Sequence, residues 1–527
     1  MKTTVLVDNL KIPVSGNDGD ALAAAERILK KHRIPYEKST LRLRKKSVDA
    51  RKKDSIAFVC SVCAESGEAA EKLPKVSGVR YFAEEESAVK RGHEKMDGRP
   101  YIVGFGPAGM FCALVLARNG MRPVVIERGG SIAERTAAVE SFYKTGRLDI
   151  DTNIQFGAGG AGTFSDGKLV TRIGDRRTAY VLEALNRLGA PDDIMWRAKP
   201  HVGTDVLRCV VENAAREIER LGGEIRYKTK VEKIKDRQVM INGEWESCGC
   251  AVLAPGHSAR DLYERLLADG FAIEAKPFSV GVRIEHLQRE LDRAMYGDEA
   301  IWEKLGHAEY ALSHREGDRG VYTFCMCPGG EVVAAASEEG GVVTNGMSCH
   351  ARDGKNANAA VAVSVLPSDF GNDPKAAVEF QRTLERAAFR AGGGNYFAPC
   401  QSVGNFYLGK EGGFNERIAP TYMNSKVRAA DLGKILPPFV TSMLKTGFAA
   451  FGRKIKGFDT PDAPLTGIET RTSAPLRILR DERLCAVGYE LVYPCGEGAG
   501  YAGGITSAAV DGIRVAEAIL ERFSDDC

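Results

Sequence analysis

The first ninety-five residues combine short apolar runs with one amphipathic stretch. The runs of strand length are residues 5–7, 12–14 and 56–62. Between residues 18 and 32, apolar side chains recur at the spacing of one helix face, namely Leu22, Ala25, Ile28 and Leu29. Residues 83–97 are rich in Glu and Lys, which is typical of a solvated helix or a linker. The pattern predicts a small α+β domain over residues 1–95.

From residue 99 onward the apolar pattern follows a strand–helix–strand order. A short apolar run, residues 101–103, leads into a glycine-rich segment. Apolar residues at helical spacing follow, namely Phe111, Leu114 and Val115. A second apolar run, residues 123–126, ends at Glu127. This order is typical of a βαβ unit, so we predict the first part of a Rossmann-type domain over residues 96–270.

The remaining chain is predicted to form an inserted region and a return to the first domain. Residues 278–285 and 321–327 alternate like strands, and residues 331–336 are expected to pair with the second of them. We therefore predict an α+β cap over residues 271–484. Residues 485–527 return to strand, glycine-rich turn and helix. The predicted fold class is α/β: a Rossmann-type domain with an inserted α+β cap and the small N-terminal domain.

The segment at residues 104–109 has the Gly-x-Gly-x-x-Gly spacing of a dinucleotide-binding turn. Gly104 permits the tight turn, Gly106 lets the backbone approach a pyrophosphate, and Gly109 lets the helix pack closely on the strand. Pro107 suits the first helical turn, whose free N–H groups attract phosphates. Glu127 lies eighteen residues after Gly109, where its carboxylate can accept hydrogen bonds from a ribose. The ordered set predicts a dinucleotide site.

The motif alone fits both NAD and FAD, and three later segments favour FAD. Residues 229–234 look like a strand entering a hairpin, and the strand at 250–253 ends in Ala254-Pro255-Gly256. Near the C-terminus, Gly496-Glu497 precedes a glycine turn and a helix pattern that begins at Ile505. These segments resemble the FAD-binding fold of glutathione-reductase-like and hydroxybenzoate-hydroxylase-like flavoproteins. The chain departs from that pattern at Pro255, where the family has Thr, and at Glu497, where the family's Asp holds the ribityl chain.

A closer resemblance covers most of the chain. It rests on residues 45–53 (KKSVDARKK), 156–169 (FGAGGAGTFSDGKL) and 469–473 (ETRTS). Together they resemble the bacterial FAD-dependent dehydrogenases described as NAD(FAD)-utilising. The resemblance implies FAD and supplies no substrate. It also implies that the helix beginning near Gly503-Gly504-Ile505 points its N-terminus at the pyrimidine edge of the flavin.

The loop at residues 157–168 contains five glycines. It either brings backbone N–H groups to the pyrophosphate and flavin, as in related flavoproteins, or serves as a structural crossover. Lys168 either lies near the flavin or pairs with Asp166. The motif, the loop and the resemblance together give the expected cofactor-binding residues: Gly104, Gly106, Pro107, Ala108, Gly109, Glu127, Arg128, Gly159, Gly160, Thr163, Lys168, Val231, Ala254, Gly256, Gly496, Glu497, Gly503, Gly504 and Ile505.

The sequence leaves the catalytic residues and the electron donor open. Candidate polar residues lining a substrate site are Arg283, His286, Arg471 and Tyr501, each of which is equally suited to a salt bridge or the surface. No second Gly-x-Gly-x-x-Gly follows a strand, so a dedicated NAD(P)H domain is not expected. If NAD(P)H is the donor, we expect it to visit the cap transiently, as in hydroxylase-like flavoproteins.

Composition and charge indicate the cellular location of the protein and the kinds of partner that it attracts. The 527 residues carry a net charge of +3, too small for a strong overall attraction to a polyanion. The N-terminal apolar run is too short for a signal peptide, and no apolar stretch is long enough to span a membrane. Thirteen scattered cysteines then indicate reduced thiols in the cytoplasm. Neither the cysteines nor the eight histidines have the spacing of a metal site.

Three functions remain open at this level. The leading hypothesis is an FAD-dependent oxidoreductase of an unknown small-molecule substrate. The second is an RNA-modifying flavoenzyme, because residues 30–53 carry eleven Lys or Arg that suit an acidic partner. The alternative interpretation of that segment is a solvated face whose charge is offset by nearby acids. The third hypothesis is a flavin-bearing sensor or scaffold without enzymatic activity.

Overall fold

The computed structural model describes residues 3–83 and 91–524, so residues 84–90 of the predicted linker at 83–97 lie outside the described residues. The strands are β1 (Thr3–Pro13), β2 (Arg42–Asp49), β3 (Ala57–Ser66), β4 (Val79–Ala83), β5 (Pro100–Val103), β6 (Val124–Ile126), β7 (Glu224–Arg226), β8 (Val231–Lys235), β9 (Gln238–Ile241), β10 (Glu244–Ser247), β11 (Cys250–Leu253), β12 (Ile273–Ala275), β13 (Phe278–Leu287), β14 (Ser313–Glu316), β15 (Arg319–Cys327), β16 (Glu331–Ala334), β17 (Thr344–Met347), β18 (Asn356–Val365), β19 (Ala398–Ser402), β20 (Val427–Ala429), β21 (Pro464–Glu469), β22 (Leu476–Ile478) and β23 (Val492–Pro494).

The α-helices of the described chain alternate with these strands. They are α1 (Asp18–Lys31), α2 (Pro107–Arg118), α3 (Ile132–Thr145), α4 (Arg177–Arg187), α5 (Thr204–Arg220), α6 (Arg260–Ala268), α7 (Gln288–Tyr296), α8 (Glu299–Leu305), α9 (Pro374–Ala391), α10 (Val403–Leu408), α11 (Pro438–Gly452) and α12 (Ile505–Arg522). Helices and strands together make a mixed α/β protein. Among the described residues, none of these helices is both long and apolar enough to cross a membrane.

The chain divides into two units, and the first contains more than the N-terminal segment. It comprises the described residues before 84 together with residues 191–201 and 292–308. Its sheet has the strand order β2-β3-β1-β4, and all pairs are antiparallel. Trp302 from the later segment packs beside Ala50 and Ile56 of the N-terminal segment. The predicted boundary at residue 95 and the two later domain boundaries, at residues 270 and 484, stay predictions.

The amphipathic pattern at residues 18–32 forms helix α1, as predicted. The Asn17 side chain accepts a hydrogen bond from the Asp20 N–H, and the Asp20 carboxylate accepts one from the Asn17 N–H. This reciprocal cap satisfies two backbone donors and fixes the helix start. Ala25 and Leu29 are fully buried, whereas Leu22 and Ile28 lie at the border of the core.

Two strands predicted at residues 5–7 and 12–14 are one strand, β1. The pairing of β1 with β3 shifts between Val7 and Leu10. Asn9 adopts a left-handed conformation with φ of 60° at this point. Such a bulge accommodates an extra residue while the strand continues, so the polar residues between the two apolar runs do not end it.

Part of the basic charge at residues 30–53 is neutralised within the first unit. The Lys46 ammonium lies 2.6 Å from the Asp18 carboxylate, and Arg51 lies 2.6 Å from Asp49. Arg42 lies 3.8 Å from Glu65, one of the acids expected to offset the segment. These pairs are consistent with a solvated, internally paired face, and binding of an acidic partner stays a prediction.

The second unit contains the parallel sheet predicted from the strand–helix–strand pattern. Its strand order is β23-β11-β5-β6-β7, and every pair is parallel. Helix α2 connects β5 to β6 and packs against α12, where a side chain on Gly512 would meet the Ala108 carbonyl at 2.1 Å. Because the strands are parallel, the loops that follow β5, β6, β11 and β23 emerge at one edge of the sheet.

A seven-stranded sheet forms the other large element of this unit. Its order is β14-β15-β18-β13-β21-β19-β20, antiparallel except for the last pair. The predicted pairing of residues 331–336 with 321–327 is wrong, since β16 pairs with β17 in a separate two-stranded sheet. The chain turns at the left-handed Gly329, which packs against the backbone of Arg352, and β16 then pairs with β17 instead of β15.

Candidate functional site

A cavity of about 340 Å³ opens in the second unit at the carboxyl edge of the parallel sheet. Segments that are distant in sequence line it. They are the turn after β5, the loop at residues 160–168, the start of β8, the turn after β11, and the C-terminal glycine segment. Residues of the seven-stranded sheet, including Phe324, Cys325 and Glu469, complete the lining. The cavity therefore gathers the motifs that the sequence analysis singled out.

The turn after β5 requires glycine for steric reasons. Gly104 has a φ of 101°, and a side chain there would lie 2.2 Å from the Ala254 carbonyl oxygen. Gly109 packs directly under this turn, where a side chain would lie 2.0 Å from the Gly104 oxygen. Helix α2 begins at Pro107, and no side chain caps it at Gly106. Its first N–H groups are thus left available at the cavity wall.

Glu127 has a structural role that the sequence analysis missed. Its buried carboxylate accepts hydrogen bonds from three backbone N–H groups, those of Phe105 at 2.8 Å, Gly129 at 2.9 Å and Gly157 at 3.0 Å. The carboxylate thus joins the glycine turn to the glycine loop while it also lines the cavity. Neighbouring Arg128 forms ion pairs with Asp151 and Asp261.

The buried guanidinium of Arg135 holds the glycine loop in place. It donates hydrogen bonds of 2.7–2.9 Å to the carbonyl oxygens of Asn153, Ile154, Ala158 and Gly160. Burial lowers the pKa of Arg135 to about 9, an effect that the nearby Glu127 carboxylate opposes. No local sequence pattern identifies Arg135, because its partners lie eighteen or more residues away along the chain.

Gly160 brings the glycine loop against the turn after β5. A side chain on Gly160 would lie 2.9 Å from the Gly106 Cα atom. Gly159 and Thr163 face away from the cavity, and the Thr163 hydroxyl donates a hydrogen bond to the Ala158 carbonyl. The loop therefore presents backbone rather than side chains to the cavity at this point.

Lys168 pairs with Asp166 and also lines the cavity, and its position near the flavin stays a prediction. Its ammonium lies 2.8 Å from Asp166 and 3.4 Å from Glu309. Arg352 binds both oxygens of the fully buried Asp166 carboxylate, and the Ser348 hydroxyl donates to it as well. Although burial lowers the pKa of Lys168, the nearby carboxylates outweigh it and raise the pKa above its usual value.

The C-terminal glycine segment forms the far wall of the cavity. Gly503 and Gly504 have open space where a side chain would be, and helix α12 begins directly after them. Glu497 lines the cavity, and burial raises its pKa to about 7 although Lys276 opposes the shift. Two uncapped helix N-termini, those of α2 and α12, therefore meet the same cavity, an arrangement that suits a ligand with negative charge at two places.

Of the four polar residues considered for the substrate side, one lines the cavity. Arg471 does so, although its guanidinium is held by Glu385 at 3.0 Å. Arg283 is buried in a pair with Glu469, and the His286 ring contacts the Phe458 carbonyl oxygen at 2.7 Å. Tyr501 lies under the Arg480 guanidinium, 3.6 Å from its ring centre. These three have the salt-bridged or packing role that the sequence left open.

The structure brings most of the expected cofactor residues to one cavity. Those in its lining are Gly104, Gly106, Pro107, Ala108, Glu127, Arg128, Gly160, Lys168, Val231, Ala254, Gly256, Glu497, Gly503, Gly504 and Ile505. Those that do not line it are Gly109, Gly159, Thr163 and Gly496. Other residues in the cavity lining were not predicted from the sequence. Among them, His257, Cys325 and Asn345 bear reactive or polar groups. Burial, with the Arg471 and Arg260 charges, lowers the pKa of His257 to about 4.

These residues fit an extended dinucleotide. The bare backbone of Gly106 and Gly160 leaves room for a pyrophosphate beside the free N–H groups of α2. The cavity lining also includes Glu127, Arg128 and Val231. At the C-terminal glycine segment, the open space beside Gly503 and Gly504 offers room for a flat ring. Within residues 3–83 and 91–524, no cluster of three or more His, Cys, Asp or Glu is arranged to hold a metal ion.

Comparison with known structures gives distant similarities. CtdE in complex with FAD is 14% identical with a TM-score of 0.33, and the match covers 81% of this chain and 84% of that one. Glycine oxidase from Geobacillus kaustophilus is 11% identical with a TM-score of 0.32, and the match covers 81% of this chain and 95% of that one. Both TM-scores are below 0.5, so these similarities are distant.

Comparison with families and relatives is more informative. Residues 277–472 match the family described as FAD-dependent protein, C-terminal domain-like. A Clostridium beijerinckii protein described as uncharacterised is 46% identical over 531 residues, covering 98% of this chain and 99% of its own length. The chain therefore belongs to the same protein family as this Clostridium beijerinckii relative, and the FAD-dependent domain that it carries supports FAD as its cofactor.

Proposed function

We propose that this protein is an FAD-dependent oxidoreductase that acts on a small-molecule substrate. The observation that carries the proposal is the cavity itself. It is lined by the turn after β5, the glycine loop, the start of α12 and residues of the seven-stranded sheet. A cofactor lying along the first three would present its reactive ring to the fourth. The FAD-dependent domain match covers that fourth wall, since residues 277–472 include most of the seven-stranded sheet.

The proposed domain arrangement follows from the same sheet order. Residues 96–270 and 485–527 would form a Rossmann-type FAD-binding domain, and residues 271–484 would form the cap. In support, β23 from the C-terminal part joins β11 from the first part at the edge of one parallel sheet. Ligands of such sheets bind at the carboxyl ends of the strands. That is the edge at which the cavity lies.

The chain's own residues would bind and orient the cofactor. When bound, FAD accepts an electron pair and passes it on, which is the chemistry that the protein side chains lack. The N–H groups at the start of α2 would hold the pyrophosphate, and Glu127 would fix the two glycine segments that surround it. The N–H groups at the start of α12 would stabilise negative charge on the ring. Phe324 and Val170 would shield the ring from water on the substrate side.

We further propose that a nicotinamide donor, if it reduces the flavin, approaches transiently from the cap side. The motif at residues 104–109 is occupied by FAD in this proposal, and no second such motif follows a strand in the sequence. Phe324 and Val170 in the cavity lining are partly exposed, with 36% and 53% of their surface accessible. These apolar surfaces offer a stacking platform for a visiting ring.

The experiment has two parts. First, the purified protein is denatured and its released cofactor is identified by chromatography, with the Gly174→Ala variant as control because nothing lies within 4 Å of that position. We expect FAD at a ratio near one per chain. Second, the bound flavin is mixed with NADH or NADPH without oxygen, and its absorbance is followed. Release of NAD alone would refute the cofactor assignment, and a flavin that no physiological donor reduces would favour the sensor hypothesis.

A further inference from the structure

Cys325 and Cys327 form a thiol pair at the wall of the cavity that faces the proposed flavin position. Cys325 lies in the cavity lining and is partly exposed, whereas Cys327 is buried directly behind it. Both belong to β15 in the seven-stranded sheet. In the sequence, no Cys-x-x-Cys or Cys-x4-Cys pair follows the first helix of the parallel sheet. The structure brings this pair to the same cavity from the opposite side.

The backbone is distorted at this point, where the two cysteines lie two residues apart on β15. The pairing of β15 with β18 shifts between Phe324 and Cys327, and Cys325 has a φ of 43°. In a regular strand, residues two apart have Cα atoms about 6.6 Å apart, near the upper end of the separation that a disulfide spans. Here the Cys327 thiol donates a hydrogen bond of 3.3 Å to the Cys325 carbonyl oxygen, so it lies against the backbone of Cys325. A left-handed non-glycine residue beside a cavity is strain of the kind found at functional sites.

The groups around the pair shift the pKa values of the two thiols in opposite directions. Arg283 donates a hydrogen bond of 2.8 Å to the Cys325 carbonyl oxygen, and Lys168 lies in the same cavity wall. The neighbouring Cys327 thiol, together with these two cations, lowers the pKa of Cys325 although burial and Glu469 oppose it. The pKa of Cys327 is raised by the Cys325 sulfur, by burial and by Asp166. One thiolate beside one protonated thiol is the arrangement of a reactive dithiol.

We propose that Cys325 and Cys327 are a redox-active dithiol that exchanges an electron pair with the FAD in the cavity, an inference that rests on the proposed function. In the oxidising direction, the Cys327 S–H bond breaks and a bond forms between the two sulfurs. The electron pair and the Cys327 proton pass to the oxidised flavin, which is thereby reduced. The reverse step reduces the disulfide and reoxidises the flavin. Atoms and charge balance, because one thiolate, one thiol and one flavin give one disulfide and one anionic reduced flavin.

The test counts electrons in the holoprotein. The protein is first oxidised and desalted, its FAD content is measured, and it is titrated with dithionite without oxygen. We expect the wild type to take up about twice as many reducing equivalents per FAD as Cys325→Ser or Cys327→Ser, because the disulfide accepts a further pair. Cys209→Ser removes an exposed cysteine on α5 and is the matched control, expected to titrate like the wild type.

A second readout uses the unmutated protein and is independent of how the variants fold. Non-reducing digestion and mass spectrometry should show the peptide containing Cys325 and Cys327 lighter by two hydrogens after oxidation, and thiol-labelled at both positions after reduction. Equal electron uptake by wild type and variants of full FAD content would overturn the proposal. So would two free thiols in that peptide when the flavin is fully oxidised. Absence of FAD from all the proteins would instead refute the proposed function on which the inference rests.

Discussion

Replacing Gly106 by Ala separates cofactor binding from folding. Gly106 has φ of −78° and ψ of −177°, which an L-residue adopts without strain. An added Cβ would have the Gly160 Cα as its nearest neighbour, at an ordinary contact distance of 3.8 Å. The methyl group therefore fits the protein without FAD. It also lies in the cradle where the pyrophosphate would meet the N–H groups of α2.

The expected changes in apoprotein stability and in the Kd for FAD follow from these contacts. Without FAD, the variant loses only what Ala costs relative to Gly at a helix N-cap, about 0.5 kcal/mol. With FAD, the methyl group displaces the pyrophosphate from at least one charge-assisted hydrogen bond, worth about 1.5–3 kcal/mol. Since 1.4 kcal/mol corresponds to a factor of ten, the Kd for FAD should rise roughly 10- to 150-fold.

The assay measures both quantities on the same preparations. FAD is removed, thermal unfolding of the apoprotein is recorded, and FAD is then titrated while its fluorescence is followed. Gly109→Ala is the contrasting variant, because its Cβ would lie 2.0 Å from the Gly104 oxygen and should destabilise the fold itself. Gly174→Ala should change neither quantity. A Gly106→Ala protein that unfolds normally and binds FAD as tightly as the wild type would refute the assignment of this turn to the pyrophosphate.

Three further predictions concern other parts of the molecule. Gly504→Asp should leave the apoprotein as stable as the wild type, because the new side chain has open space and can cap α12. It should lower either the FAD occupancy or the reduction potential of the bound flavin. An unchanged potential with full FAD occupancy would place the start of α12 away from the flavin ring. Burial raises the pKa of Glu497 to about 7 from 4.5, so ionisation destabilises the folded apoprotein as the pH rises through that interval. Glu497→Gln should therefore stabilise the apoprotein by up to roughly 3 kcal/mol above pH ~8 and have little effect below pH ~4, and denaturant unfolding at both pH values would check this. A chain beginning near Gly98 should still bind FAD, because all the described cavity residues belong to the second unit. The truncation should also expose Trp302, because it removes the packing partners Ala50 and Ile56. A soluble, folded truncation that does not bind FAD would contradict this prediction.

Local elements whose signals act over a few residues could be predicted from the amino-acid sequence alone. The strand, glycine turn and helix at residues 100–118 follow from apolar spacing and from glycine sterics, which act over a few residues. Helix α1 begins where Asn17 and Asp20 cap it. Two predictions made from local patterns differ from the structure, those for β1 and β16. Strand β1 continues through the left-handed residue Asn9, and after the turn at Gly329 strand β16 pairs with β17 instead of β15.

Which distant residues share the site depends on how the whole chain packs. Arg135 supports the glycine loop through carbonyl groups that no spacing rule connects to it, and Cys325 reaches the cavity from a sheet more than two hundred residues after the first glycine turn. The sequence left open whether Lys168 pairs with Asp166 or lies near the flavin, and in the fold the buried Asp166 carboxylate holds Lys168 at the cavity wall. Burial and long-range charge arise only when the chain is packed. For that reason the depressed pKa of the Cys325 thiol and the raised pKa of Glu497 are properties of the fold, whereas the dinucleotide turn is a property of the sequence.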